Sequence, residues 1–249
     1  MTRRRFYASP SDFNSPRESV TLAVDEARYL REVLRLKVGD EVYVFNGEGK
    51  EFQCRIEESR KDSASLKIIT EVEPARPESP LNLTLALALL KGEKFDLVVQ
   101  KTTELGASRI IPVITKLADI RLRDTSDAAK RVSRWQRIAL EAAKQSGRAV
   151  VPTVEEPTTF DSVVRSSEPG AVLFSERGGL PLRALKETIS SPTTLTALIG
   201  SEGGWTDQEL ELARNTGLPI ITLGGRILRA ETAAITVATL LQHLFGDLR

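Results

Sequence analysis

Residues 73–90 read Glu73-Pro74-Ala75-Arg76-Pro77-Glu78-Ser79-Pro80, then Leu81-Asn82-Leu83-Thr84-Leu85-Ala86-Leu87-Ala88-Leu89-Leu90. The first half holds three prolines in eight residues. Each proline removes a backbone donor and restricts the residue before it, so regular structure should stop there. The second half carries a near-continuous apolar run from Leu83 to Leu90, the pattern of a strand covered on both faces. The stretch therefore divides the chain. Residues 74–80 read as an interdomain linker, with 1–73 before it and 81–249 behind it.

Behind the linker the pattern alternates between strand and helix. Lys94 to Leu105 has helical spacing, with Gly106 as its stop. Arg109–Thr115, Ala171–Phe174, Thr194–Ile199 and Ile220–Leu223 read as strands. Asp127–Ser146 reads as a long helix, and Thr206-Asp207-Gln208-Glu209 as a capping box opening another. Ala230–Phe245 is apolar at helical spacing and closes at Gly246. This alternation predicts an α/β domain with a mainly parallel sheet.

Ahead of the linker, strands dominate. Val42–Phe45, Glu51–Ile56 and Ala64–Thr70 have β character, and Asn46-Gly47-Glu48-Gly49 supplies a turn. Asp25 is placed to cap a short helix with Tyr29, Leu30, Val33 and Leu34 on one side. This half reads as a small β-barrel.

Composition narrows the classes. The chain has 249 residues, 41% hydrophobic and 28% charged, with a net charge of +1. That is too apolar and too balanced for a disordered chain. No run approaches the roughly 18 apolar residues of a membrane span. Arg3-Arg4-Arg5-Phe6 is basic, but no apolar core follows it as in a secretory signal. One Cys and one His leave no basis for a disulfide framework or a Cys/His zinc site. The expectation is a cytoplasmic protein with no membrane and no metal. Charge is uneven: residues 116–148 hold nine Lys/Arg against four Asp/Glu, a local surface able to attract a polyanion.

Parallel α/β sheets bind ligands beyond the carboxyl ends of their strands. Two glycine-bearing loops lie there: Leu198-Ile199-Gly200-Ser201-Glu202-Gly203-Gly204-Trp205, and Leu223-Gly224-Gly225-Arg226-Ile227-Leu228-Arg229-Ala230-Glu231-Thr232. Neither a P-loop nor a G-x-G-x-x-G dinucleotide signature is present.

These loops carry a resemblance. Leu223–Ala233 resembles the L-G-x-R-I-L-R-x-E-T-A signature of the bacterial ribosomal RNA small subunit methyltransferase E family, a branch of the knotted SPOUT methyltransferases. Ile199–Gly204 resembles its I-G-P-E-G-G loop, with Ser201 in the proline's place. Lys101–Gly106, Gln145–Arg148, the N-terminal Arg-Arg-Phe and Leu34–Asp40 match further blocks in order. Arg28-Tyr29 stands where the family often carries paired histidines.

The resemblance implies a PUA-like RNA-binding barrel followed by a trefoil-knotted domain, acting as a homodimer. It implies methyl transfer from S-adenosyl-L-methionine to N3 of a uridine in small-subunit (16S) rRNA, free or in an assembled subunit. Related knotted enzymes acting on tRNA, and a non-catalytic ribosome-assembly factor, are the competing readings.

Residue roles follow from the same resemblance. Leu198, Ile199, Gly200, Gly203 and Gly204 in one loop, and Leu223, Gly224, Ile227, Leu228 and Thr232 in the other, are expected around the cofactor. Arg229 is the cation expected at the uracil oxygens. Glu231 or Glu202 is the expected base or its orienter. For Glu231, a first-turn acid favouring the helix dipole accounts for the residue equally well. Glu202 would also suit the cofactor's ribose hydroxyls.

RNA contacts are expected from Arg3, Arg4 and Arg5, from Arg35 and Lys37, from Arg134 and Arg148 on the basic helix face, and from Arg226. Val132, Trp135, Ala139 and Ala142 lie on the opposite side of that helix and should pack inward or against a second subunit. Carbon methylation at uridine C5 calls for a thiolate. Cys54 lies in a strand of the other domain and reads as core, which favours a nitrogen or oxygen target. His243 reads as structural.

Overall fold

The computed structural model describes residues 3–14, 16, 18–166, 170–189 and 191–249. The chain forms two compact units. One comprises residues up to 78 together with 143–151; the other comprises 79–142 and 152–249.

The first unit contains β1 (Arg5–Tyr7), β2 (Ser19–Leu22), α1 (Val24–Arg28), β3 (Glu41–Phe45), β4 (Glu51–Ser59) and β5 (Ala64–Val72). They form a five-stranded sheet in the order β1-β3-β4-β5-β2. β1 runs parallel to β3, and the remaining pairs are antiparallel. The inward set follows the period-two pattern: Val42 and Val44 on β3, Phe52, Cys54 and Ile56 on β4, all buried with Phe6, Leu22 and Leu66. Gly47 and Gly49 sit at positive φ, 80° and 95°, in the connecting turn, a conformation open to glycine at little cost.

Two expectations for this unit are corrected. Asp25 is not the cap of α1. Ala23 holds that position with no side-chain cap, and Asp25 lies in the first turn. The helix then continues as a π-turn over Tyr29–Val33. Its wider repeat rotates the side chains away from an α-helical face. Leu30 is buried, but Tyr29 and Val33 are exposed.

Residues 143–151 pack with the first unit: Val151 N–H donates to the Gly47 carbonyl and Gly49 N–H to that of Ala149.

The second unit contains β6 (Asn82–Ala88), α2 (Lys94–Glu104), β7 (Ala107–Ile114) and most of α3 (Thr125–Ser146). It continues through β8 (Thr153–Val154), β9 (Thr158–Thr159), α4 (Phe160–Ser166), β10 (Ala171–Phe174) and β11 (Leu180–Pro181). It closes with α5 (Leu185–Thr188), β12 (Thr194–Ile199), α6 (Asp207–Asn215), β13 (Ile220–Thr222) and α7 (Ala230–Phe245).

Its sheet has the order β11-β13-β10-β12-β6-β7-β8, with β9 beside β7, and every pair is parallel. Apart from Asn82, β6 is buried along its length, with β7 and β12 on its two sides, which explains its unbroken apolar sequence. On α3, Trp135, Ala139 and Ala142 are buried as expected, and Val132 is half-buried. No helix among the described residues is long and apolar enough to cross a membrane.

Candidate functional site

Three neighbouring parallel strands, β13, β10 and β12, end level with one another. Phe174 is in register with Ile199 on one side and Ile221 on the other. The chain segments that leave their carboxyl ends enclose a cavity whose empty space, counting its open mouth, is about 540 Å³. The two glycine loops therefore meet. Ile199, Gly200, Ser201 and Gly204 line one side, and Leu223, Gly224 and Leu228 line another.

Local chemistry shapes each loop. Gly204 N–H donates to the Ser201 carbonyl at 2.9 Å, closing a tight turn with Gly204 at φ 68°. A side chain at Gly200 would meet the Trp205 ring at 3.2 Å. A side chain at Gly203 would come within 3.0 Å of the Leu117 carbonyl oxygen. Trp205 is 1% exposed. Its indole N–H donates to the Phe174 carbonyl at 2.8 Å, tying this loop to the end of β10. Thr206 then caps α6, its hydroxyl accepting from Glu209 N–H while Glu209 Oε2 accepts from Thr206 N–H at 2.8 Å.

The expected site residues separate into three groups. Ile199, Gly200, Gly204, Leu223, Gly224 and Leu228 line the cavity, and Gly203 does not. Leu198 is fully buried within β12, and Thr232 and Ile227 point to solvent, Ile227 at 88% exposure. Glu202, Arg229 and Glu231 gather elsewhere, around a residue that sequence reasoning missed. Lys94, in the first turn of α2, donates to Glu202 Oε1 at 2.7 Å and lies 3.8 Å from Glu231 Oε2. The Glu202 hydrogen bond raises the Lys94 ammonium above its usual range, opposed in part by burial and, less, by the charge of Arg229. Burial on its own would lift the Glu202 carboxyl, but the Lys94 hydrogen bond and nearby backbone donors outweigh it and hold Glu202 below the usual carboxylate range. Glu231 Oε2 is buried and accepts no hydrogen bond.

Sequence reasoning also missed Phe174, Ser175 and Glu176 after β10, and Trp205, Ala230 and Ala233, all of which line the cavity. Arg226, expected at RNA, lines it as well. Among the described residues, Glu176 and Arg226 are its only charged lining residues. Ser201 Oγ is buried there without a hydrogen-bond partner.

The basic residues expected to meet RNA are unequal. Arg4, Arg35 and Lys37 are exposed. Arg5 and Arg148 are not free surface. Arg5 grips the fully buried Glu51 at 3.0 Å, and Arg148, 5% exposed, holds Glu78 at 2.7 Å. Arg5 thereby neutralises a carboxylate that would otherwise be costly to enclose. Arg3 also pairs with Glu51, and its guanidinium lies over the Tyr43 ring. Arg134 pairs with Asp96. Cys54 is buried, and burial pushes its thiol up to about 12. His243 is exposed, its ring nitrogen 3.1 Å from the Leu248 carbonyl oxygen.

Known proteins resemble this chain along most of its length. A family profile described as RNA methyltransferase domain matches residues 77–242, and one described as RNA methyltransferase PUA domain matches 22–69. Ribosomal RNA small subunit methyltransferase E of Synechocystis is 36% identical, over 86% of this chain and 70% of its own length. The Rickettsia conorii protein of that name is 34% identical, over 87% and 86%. A Neisseria gonorrhoeae structure of that name, bound to S-adenosyl methionine, superposes with a TM-score of 0.86 at 32% identity, covering all of both chains. A Legionella pneumophila methyltransferase in complex with the bound cofactor SAM gives 0.88, also at 32% identity and full coverage of both.

Proposed function

Because this chain belongs to the ribosomal RNA small subunit methyltransferase E family, we propose that it methylates N3 of a uridine in small-subunit rRNA, using S-adenosyl-L-methionine. The observation that carries this reading is the cavity built by two glycine loops at the carboxyl ends of adjacent strands, where parallel α/β folds place their ligands.

The residues present fit the cofactor. Its adenine needs apolar walls, which Ile199, Leu223 and Leu228 supply. Its amino-acid end is a zwitterion, matched in kind by Glu176 and Arg226. Ser201 Oγ, buried and unpartnered, is a polar group awaiting a donor or acceptor, which a bound molecule would provide. When bound, the cofactor supplies an electrophilic methyl group on a sulfonium.

The chain's own task is to place and charge the nucleophile. The N3 proton of uridine must leave as the nitrogen attacks. Arg229, exposed at the N-terminus of α7, is placed to offset the negative charge that spreads onto the uracil oxygens. Glu202 is occupied by Lys94 and held in its weakly basic form, so the proton-accepting role goes to Glu231. Arg4, Arg35 and Lys37, on the unit matching the PUA profile, are assigned to the RNA backbone. The same reading includes a cytoplasmic homodimer and the knotted backbone expected of the family.

Calorimetric titration with S-adenosylmethionine should give saturable binding. Nucleoside mass spectrometry of rRNA from a deletion strain should show 3-methyluridine lost and restored with the gene. Unchanged 3-methyluridine would overturn the assignment. Arg229→Ala should lower kcat by about 100-fold, by comparison with removal of one donor from an oxyanion site, while leaving cofactor affinity within twofold. Unaltered turnover at saturating RNA removes Arg229 from the mechanism.

A further inference from the structure

The cavity walls come from segments far apart in the chain, and something must hold them in register. Trp205 does so at the β10 end. On another side, the residues that follow and flank the walls converge on Lys94. Glu202 follows the wall residue Ser201, and Glu231 lies between the wall residues Ala230 and Ala233. Neither glutamate lines the cavity, and neither does Lys94. The Lys94 ammonium bridges them at 2.7 and 3.8 Å, from a helix that contributes no wall. The Glu202 loop leaves no room for a side chain at Gly203, where an added Cβ would meet the Leu117 Cβ at 2.9 Å and its carbonyl oxygen at 3.0 Å.

We propose that Lys94 is a positioning residue that clamps the 200–205 loop to the first turn of α7, and so sets the shape of the cavity and its affinity for the methyl donor. The proposal rests on the reading of the cavity as the donor's site. It assigns Lys94 no contact with the donor. The effect is transmitted through the two glutamates to Ser201, Ala230 and Ala233. About a third of the Lys94 side chain is exposed, so the clamp is modest. Exposed pairs of this kind correspond to about a two- to fivefold change in an equilibrium.

The test has one arm without cofactor and one with it. In the ligand-free protein, amide hydrogen exchange at 200–205 and 230–233 should quicken about two- to fivefold in Lys94→Met, relative to wild type. In calorimetry, Lys94→Met should weaken S-adenosylmethionine binding by a similar factor, and Lys94→Arg should recover most of it. Glu202→Ala removes the acceptor at the other end of the same bond and serves if Lys94→Met does not fold. Its exchange effect should match, and the double variant should be no faster than either single one. Unchanged exchange in both single variants, or additive effects in the double, overturns the clamp. Wild-type protein that gives no heat with S-adenosylmethionine overturns the donor reading instead, and the exchange arm still judges the clamp.

Discussion

Among the described residues, Glu176 is the only carboxylate lining the cavity, and it stands beside Gly204, where an added Cβ would lie 3.1 Å from its Oε1. That closeness means the missing side chain at 204 leaves room for the carboxylate. S-adenosylmethionine and its demethylated product differ by the sulfonium charge but share the ammonium. Glu176→Gln should weaken both about tenfold if it reads the ammonium, since a charge-assisted hydrogen bond is worth roughly 1.5 kcal/mol more than none. Calorimetry with both compounds checks this, and equal affinity of the variant and wild type for both removes Glu176 from recognition. Cys54 makes the opposite point about reactivity. With its thiol lifted to about 12 and its side chain buried, almost none is thiolate near neutral pH. Folded protein at pH 8 should resist iodoacetamide for hours and react only once unfolded, as intact mass measures. Rapid labelling of the native state would contradict the burial.

At the scale of the element, α6 is the piece that fixes where the Ile199–Trp205 loop ends. Its capping box satisfies two end groups reciprocally, and Glu209 Oε1 also accepts from Lys116 N–H at 3.0 Å. Thr206→Ala should cost about 1 kcal/mol. Glu209→Ala should cost more, because it strips acceptors from the backbone N–H groups of both Thr206 and Lys116 in a buried setting. Urea titration should show the midpoint falling in that order at constant slope. An equal loss in both variants would mean the Lys116 bond contributes nothing. This helix was legible from Thr206-Asp207-Gln208-Glu209 alone, because a cap is a local device. Strands β6, β10 and β12 were legible for a related reason: they are mostly apolar, and β10, though only four residues long, is apolar throughout. Other elements gave no such signal. β1 has three residues and β2 four, too few to show a period, and α4 has seven. The π-turn after α1 was invisible because a helix pattern carries no mark of where its repeat widens. Lys94 was unreadable on different grounds. It meets Glu202 across 108 residues, and only the parallel order β12-β6 brings the ends of those strands together. The loops could be read; the residue that joins them could not.

Whole-molecule behaviour turns on Ile227. It sits in the loop whose neighbours Arg226 and Leu228 line the cavity, yet it is 88% exposed, more than any other large apolar side chain described. Burying such a side chain gains about 1.5–3 kcal/mol, and across a two-fold interface each substitution counts twice. The homodimer assigned above therefore has a specific test. Light scattering should find wild-type protein dimeric at micromolar concentration, and Ile227→Asp should weaken association by at least about 100-fold. Persistence of the dimer in the variant would move the interface elsewhere. A linked consequence follows from geometry. If association orders the Leu223–Arg229 loop, the same loop meets the methyl donor already partly ordered, and dimerisation and donor binding must strengthen each other by the same factor. Donor affinity should then tighten as wild-type concentration is raised through the dimer midpoint. In Ile227→Asp, that dependence on protein concentration should vanish. Donor affinity independent of wild-type concentration would mean each protomer's cavity is complete on its own.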